Sequence, residues 1–445
     1  MHIRAAYFRR PKLFTMKNVI IIGGGAAGMM AAAQLAKNNQ IQVTLIEQNE
    51  KLGKKLFITG KGRCNLTNNT EPEELLSHTV TNAKFMYSAF SEFQAQDVMR
   101  FFEEAGLRLK TERGNRVFPE SDHSSDVIKA LEKQLYDVDV RLNTRVCEIL
   151  WEKYTEDEGK YTRRVTGAIV SDRNGKRETL SCDAVLLATG GYSYPQTGAT
   201  GDGYTFCDSL GLKLISCRPA LVPFEIEESC CHLLMGLTLK NVEITCTAKV
   251  KNKKKVLYKD FGELLFTHFG VSGPVILSAS SYIGKYISEG VTLHIDLKPA
   301  LSTEQLDARL LRDFEASKNK QLKNSMSDLL PKSMIPVVID ASGVSGDTLI
   351  HDLTREERAA LVSTLKDFTL TVAGTRGFDE AIITQGGVSV KEINPKTMEA
   401  KTVKGLYLAG ELIDIDAVTG GFNLQLAWST AYAAAQGIIN SEVKI

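Results

Sequence analysis

The sequence predicts an α/β protein whose first and last segments build one parallel sheet around a β-rich middle. Three observations predict it. Residues 18–22 (NVIII) form an apolar run that enters a glycine cluster at 23–28 and then an alanine-rich stretch. Two later runs, DAVLLATGG at 183–191 and GLYLAGE at 405–411, repeat the strand-into-glycine pattern. Between 212 and 298, short patterned segments such as VEITCTAKV (242–250) and VTLHIDL (291–297) read as strands.

The first unit assigns a task to each residue. NVIII reads as a buried parallel strand. In GGGAAG, Gly23 permits the tight turn, Gly25 lets a pyrophosphate approach the backbone, and Gly28 lets the following helix pack closely on the sheet. The unpaired N–H groups at that helix start attract phosphates. IQVTLI (41–46) is the next strand, and Glu47 at its end can accept hydrogen bonds from the adenosine ribose. A 2′-phosphate would face this carboxylate, which disfavours NADP in this first site. A lone GxGxxG is weak evidence, but here the strand, the helix and the acid stand where a dinucleotide site needs them.

Later segments favour FAD over NAD. KLGKKLFITGKGRCNLTNN (51–69) is small, polar and basic, and can pass the pyrophosphate towards a flavin ring. VRLNTRVCEI (140–149) reads as a strand near the nucleotide, and strands at 165–170 and 180–187 are joined by the turn Arg173–Lys176. TQGGV at 384–388 permits close backbone approach, and Gly420 and Gly421 turn into a helix starting near Asn423. That helix start can face the flavin pyrimidine carbonyl, where negative charge grows on reduction. A simple NAD enzyme does not require this late glycine-rich strand and helix. Asp414 and Asp416 are candidates for ribityl or phosphate-side contacts, with helix capping as the plainer role. Residues 303–330 and 354–366 read as helical, with STEQ and TREE resembling capping boxes, and the chain returns to the first layer near 372.

Composition narrows the function class. The 445 residues exceed one ordinary core, and 43% hydrophobic with 24% charged residues suits a globular chain. Lys and Arg total 54 against 53 for Asp and Glu, so the +1 balance gives no reason to expect nucleic acid or an anionic membrane. KNKKK at 251–255 reads as a solvated strand connection. The eight cysteines form no CxxC pair, so free thiols in a reducing cytosol are expected, with no metal site. No apolar span of about 18 residues predicts membrane insertion, and residues 1–15 read as a dispensable, flexible extension before Met16.

These segments together resemble the BaiN/RdsA-like family of NAD(P)/FAD-dependent oxidoreductases, sometimes labelled aminoacetone-oxidase-like or NAD(FAD)-utilising dehydrogenases. The resemblance runs from about Met16 to Gly437 through GGGAAG, TGKGRCNLTN (59–68), NRVFPESD (115–122), ATGGYSYPQTGATGDGY (188–204), LFTHFGVSGP (265–274), TQGGV and the 397–428 segment. It implies a discontinuous Rossmann-like FAD-binding domain in two parts, 16–192 and 372–445. It also implies an inserted β-rich, barrel-like domain at 193–371 that carries a small helical subdomain over about 300–366. The implied cofactor residues begin with Gly23, Gly25, Ala26, Ala27 and Gly28, then Glu47, Gln48 and Lys55. Thr59, Gly60, Gly62, Arg63, Cys64 and Asn65 line the flavin side, and Val146 touches adenine through its backbone. Thr189, Gly190, Gly410 and Glu411, with Gly420, Gly421, Phe422, Asn423 and Leu424, complete the cradle.

The expected activity is hydride transfer between bound FAD and a small organic substrate, with NADH or NADPH as a transient reductant because no second complete GxGxxG unit is present. Arg63 and His268 are the catalytic candidates, as a carboxylate binder or flavin stabiliser and as a proton carrier. Arg116 and Tyr192 are weaker substrate-side candidates, and Phe118 reads as an anchor. Three alternatives stand beside this reading. One is an amine oxidase or dehydrogenase using oxygen or another acceptor, one a nucleic-acid-modifying flavoprotein, and one a non-catalytic flavin-binding regulatory module. A cytoplasmic monomer or homodimer is expected. Gly25→Asp places a carboxylate in the pyrophosphate approach and is expected to abolish FAD retention; a purified variant with full flavin absorbance rejects this placement.

Overall fold

The computed structural model describes residues 16–155 and 162–441, so the extension at 1–15 lies outside the described residues. The parallel sheet has the strand order Leu406–Leu408, Ala184–Leu187, Lys17–Ile22, Ile41–Ile46, Val138–Arg141. Its central strand is apolar at almost every position because helices cover both faces of such a sheet. The last segment of the chain therefore supplies an edge of the sheet that the first segment begins.

Two helices are packed through small residues. Ala26–Leu35 buries Ala31, Ala32 and Ala33, and the final helix, Phe422–Asn440, buries Ala433, Ala434 and Ala435. The final helix is tied at both ends. Trp428 Nε1 donates to the Leu66 carbonyl at 2.9 Å, and Ser429 Oγ donates to the Phe93 carbonyl at 2.7 Å. At the other end Lys17 Nζ donates to the carbonyls of Ile438 and Ser441 at 2.6 and 2.5 Å. A cation on the last carbonyls also complements the helix dipole. Burial pushes the Lys17 ammonium below its ordinary value, so these partners hold the charged form against desolvation.

The middle of the chain forms a closed antiparallel barrel. Its strands run in the order Phe224–Ile226, Gly270–Ser272, Lys253–Thr267, Thr238–Val250, Val291–Asp296, Phe368–Thr375 and back to the first. Ile244, Leu264, Phe266, Leu293 and Leu370 fill it. The fold is thus a Rossmann-like α/β layer with an inserted β-barrel, as the sequence predicts. Ser302 and Thr354 do close capping boxes with Gln305 and Glu357. The helical stretch is shorter than expected, however. Helices span Thr303–Glu315 and Arg355–Lys366, and an unforeseen helix at Met334–Ser342 replaces any long continuation through 316–330. Its run MIPVVIDAS carries Pro336 and three β-branched residues in a row at 337–339, which disguise the helix in the sequence.

Gly28 is the tightest point of the first unit. A Cβ there would lie 1.8 Å from the Gly23 carbonyl oxygen. We expect Gly28→Ala to lower stability by about 1–3 kcal/mol or more, read as a lower denaturant midpoint at unchanged slope; an unchanged midpoint contradicts the packing described.

Candidate functional site

The carboxyl ends of the parallel strands open on one cleft of about 1340 Å³. This exceeds the roughly 300–1,000 Å³ of ordinary small-molecule pockets, so it has room for an extended ligand and a second molecule. Such a sheet places ligands outside these strand ends. Gly23, Gly25, Ala26 and Ala27 line the cleft at the first strand end, and Glu47 and Gln48 at the second. Thr189 and Gly190 follow at the third, and Gly410 and Glu411 at the fourth. Val146 and the turn from Gly420 to Leu424 also line it.

The residues present fit FAD on three observations. A Cβ added at Gly25 or Gly190 would meet nothing within 4 Å, so these cleft-wall backbones are open to a close-lying group, whereas Gly62, expected on the flavin side, is not on the cleft wall. The side-chain oxygens of Asn65 and Thr189 are buried without a hydrogen-bond partner, in residues of the cleft wall. Such orphaned atoms are rare unless a ligand or water completes them. Finally, Gly421 adopts φ 99 at the start of the final helix, and a Cβ there would lie 2.5 Å from the backbone of Thr67. That contact brings the helix start, with its free N–H groups, onto the segment that follows GKGRC.

Two carboxylates organise the cradle. Glu47 is buried; its Oε2 accepts from the Gly24 N–H at 2.8 Å, and its Oε1 accepts from the Asn49 backbone and side chain at 2.8 and 2.7 Å. Oε2, with a single donor, keeps capacity for a further one such as a ribose hydroxyl. Glu411 accepts from Lys55 Nζ at 2.6 Å, from Ser193 Oγ at 2.7 Å and from the Thr384 N–H at 2.7 Å.

Other expected residues are placed differently. Arg63 lines the cleft, but its guanidinium bonds Asp122 and Glu112 at 2.5 Å each and lies 4.2 Å over the Phe118 ring. Its charge is already matched, which weakens the carboxylate-binding expectation. His268 is exposed at the turn between two barrel strands, its ring 5.0 Å from that of Phe269, and it is not among the cleft-lining residues. The segment that looked conspicuous is a barrel hairpin, so the proton-carrier expectation finds no geometric support there. Cys64 is fully buried and also off the cleft wall, and burial pushes its thiol up to about 12. Asp414 and Asp416 do not line the cleft either. Asp414 accepts from Asn82 at 2.9 Å and Asp416 from Gln385 at 3.0 Å. Among the described residues no group of three or more His, Cys, Asp or Glu is placed to hold a metal, and no helix is long and apolar enough to cross a membrane.

The sequence reading missed the barrel's share of the wall. Tyr258, Asp260, Ser278 and Tyr282 all line the cleft. Tyr258 donates its hydroxyl hydrogen to Asp260 at 2.7 Å, and Asp260 also accepts from the Phe261 N–H at 2.8 Å. The Tyr258 and Tyr282 rings stack with centroids 4.8 Å apart. Burial first, and then the Asp260 carboxylate, hold the Tyr258 phenol well above its ordinary range. His78 also reaches the cleft and stacks on Phe422 at 4.3 Å. No local spacing marks these residues, because the fold alone brings them to the cofactor segments.

Comparison with known proteins covers nearly the whole chain. The family described as HI0933-like protein Rossmann domain matches residues 17–437. A ribosomal RNA dihydrouridine synthase of Escherichia coli is 33% identical over 427 residues, spanning 95% of this chain and 98% of that protein. A 3-dehydro-bile acid delta(4,6)-reductase of Clostridium scindens is 30% identical over 426 residues, spanning 95% and 98%. The solved 3-ketosteroid delta1-dehydrogenase of Sterolibacterium denitrificans shares the fold at TM-score 0.53 and 13% identity, over 96% of this chain and 100% of that one.

Asp416, off the cleft wall, gives the stability of the fold a pH signature. Its carboxyl is pushed up to about 6 by burial and, less strongly, by Asp414. A raised carboxyl contributes stability that is full below its unfolded value near 3.8 and lost as pH rises through about 6. At about 1.36 kcal/mol per pH unit the loss approaches 3 kcal/mol. Asp416→Asn is therefore expected to gain stability relative to the parent between pH 4 and 7, measured as the difference in Tm; parallel pH profiles contradict the assignment.

Proposed function

The chain belongs to the HI0933-like family and is an FAD-dependent oxidoreductase, and from that premise we propose that it reduces a carbon–carbon double bond conjugated to a carbonyl, in the uracil ring of an RNA. The observation that carries this reading is the hydrogen-bonding wall formed by Tyr258, Asp260, Ser278 and Tyr282. Uracil offers two carbonyl acceptors and one N–H donor, which match hydroxyl donors and a carboxylate acceptor. An apolar ring system would offer these groups no partner beyond those they already have within the protein, whereas a uracil ring can satisfy their remaining hydrogen-bonding capacity. The names of both aligned enzymes describe products of double-bond reduction beside a carbonyl. The near-neutral balance that argued against nucleic acid is a property of the whole chain and says nothing of the cleft mouth.

FAD held in this cradle and first reduced by NADH or NADPH would supply the hydride. The protein's own task is to place the double bond and manage charge. Hydride addition at one carbon builds negative charge on the conjugated carbonyl oxygen, and the proton must reach the neighbouring carbon. Asp260 accepts the Tyr258 hydroxyl hydrogen at the cleft, and burial together with that carboxylate raises the pKa of the phenol, which stays protonated at neutral pH. Tyr258 is therefore placed as proton donor, with Ser278 and Tyr282 as donors to the carbonyl. Leu221, Val275, Leu277 and Ile382 line the same cleft and support a second reading, a small apolar conjugated ketone.

The test is anaerobic. The FAD-loaded protein is bleached with NADH or NADPH, then mixed with uridine-containing single-stranded RNA or with a cyclic conjugated ketone. We expect the RNA to restore the oxidised flavin bands and to yield dihydrouridine on digestion. Tyr258→Phe should slow this second step about a hundredfold and leave bleaching unchanged. Reoxidation by the ketone alone favours the second reading, and bleaching by amines alone rejects both.

A further inference from the structure

We propose that the tip of the barrel's longest hairpin is a phosphate-binding arm that holds single-stranded RNA beside the cleft. The inference rests on the reading of the substrate as an RNA base. Strands Thr238–Val250 and Lys253–Thr267 pair out to Val250 opposite Lys253, and Lys251 and Asn252 close the turn with φ 49 and 60. Two left-handed residues make the tight turn that matches strand twist, so the tip is a defined ribbon end.

Lys249, Lys251, Lys253, Lys254 and Lys255 are all exposed. None of them lies within 4.0 Å of a carboxylate oxygen among the described residues. Lys285 joins them, since Lys255 and Lys285 lie 5.3 and 5.2 Å from the same Tyr286 ring. Like charges crowded without counter-charge repel one another, and a polyanion relieves the repulsion. The net charge of the whole chain is only +1, so whole-chain composition does not reveal this local cluster.

The same strand joins the arm to the chemistry. From Lys254 it runs to Tyr258 and Phe261 on the cleft wall, about 13 and 23 Å away at ~3.3 Å per residue. Phe261 is 54% exposed at that wall, which suits it to stack on a neighbouring base. Phosphates on the lysines and a base on Phe261 would bring the next base to Tyr258. An anionic membrane fits less well, because residues 249–255 hold no exposed aromatic or leucine to enter the acyl boundary.

The test uses the full-length FAD-loaded protein and the triple variant Lys251→Ala, Lys253→Ala, Lys254→Ala. Binding of a short uridine-rich single-stranded RNA is measured across a salt series, beside NAD(P)H bleaching and reoxidation by free uridine or a conjugated ketone. We expect the variant to bind RNA at least about tenfold more weakly, with a log–log salt slope shallower by about 2. Bleaching and small-molecule reoxidation should be unchanged, and the Lys→Arg triple variant should bind as the parent does. RNA bound equally by parent and Ala variant overturns the arm but leaves the RNA-base reading standing. A parent that binds no RNA overturns that reading itself. Tip-dependent binding to phosphatidylserine vesicles without RNA binding also overturns the arm.

Discussion

One half-buried carboxylate holds the cleft together. Glu411 gathers Lys55 from the basic segment, Ser193 from the loop after the third glycine turn, and the backbone of Thr384 from the returning strand. These groups come from positions hundreds of residues apart, and no sheet hydrogen bonds join all of them. A carboxylate can do this because it accepts several donors at once, and low local dielectric strengthens each bond. The cofactor cradle, the barrel's approach and the polar wall all depend on that junction being made.

Much of the cradle was legible in the sequence because its chemistry is local. Strand, glycine turn and helix N-terminus lie next to each other along the chain, so GGGAAG and Glu47 carry their geometry with them. The late segment was legible for the same reason: Gly420 and Gly421 announce a turn into a helix. The opposite wall was not legible. Tyr258 and Asp260 sit two apart on an ordinary barrel strand, and Ser278 and Tyr282 sit four apart on the helix Pro274–Ile283. Only the docking of that strand and helix gives them a shared task. His268 shows the reverse: its conspicuous segment forms the turn between two barrel strands and leaves the side chain off the cleft wall.

Charge was legible as an average and misleading as one. Nearly equal totals of acids and bases conceal a hairpin tip whose lysines have no carboxylate within 4.0 Å among the described residues and a loop arginine enclosed by two carboxylates. The first arrangement leaves a field directed outward, and the second cancels its own. Function follows from where charge is left over.

The bond from Lys17 to the carbonyl of Ile438 joins positions 421 residues apart. On a ribosome adding ~5–20 residues each second, the amino-terminal strand waits on the order of 20 to 80 seconds for that partner. Through that interval its apolar flank has neither the last helix nor the edge strand to cover it. Translation thus exposes an unfinished half-domain until the partner helix has been made, the kind of intermediate that chaperones shield.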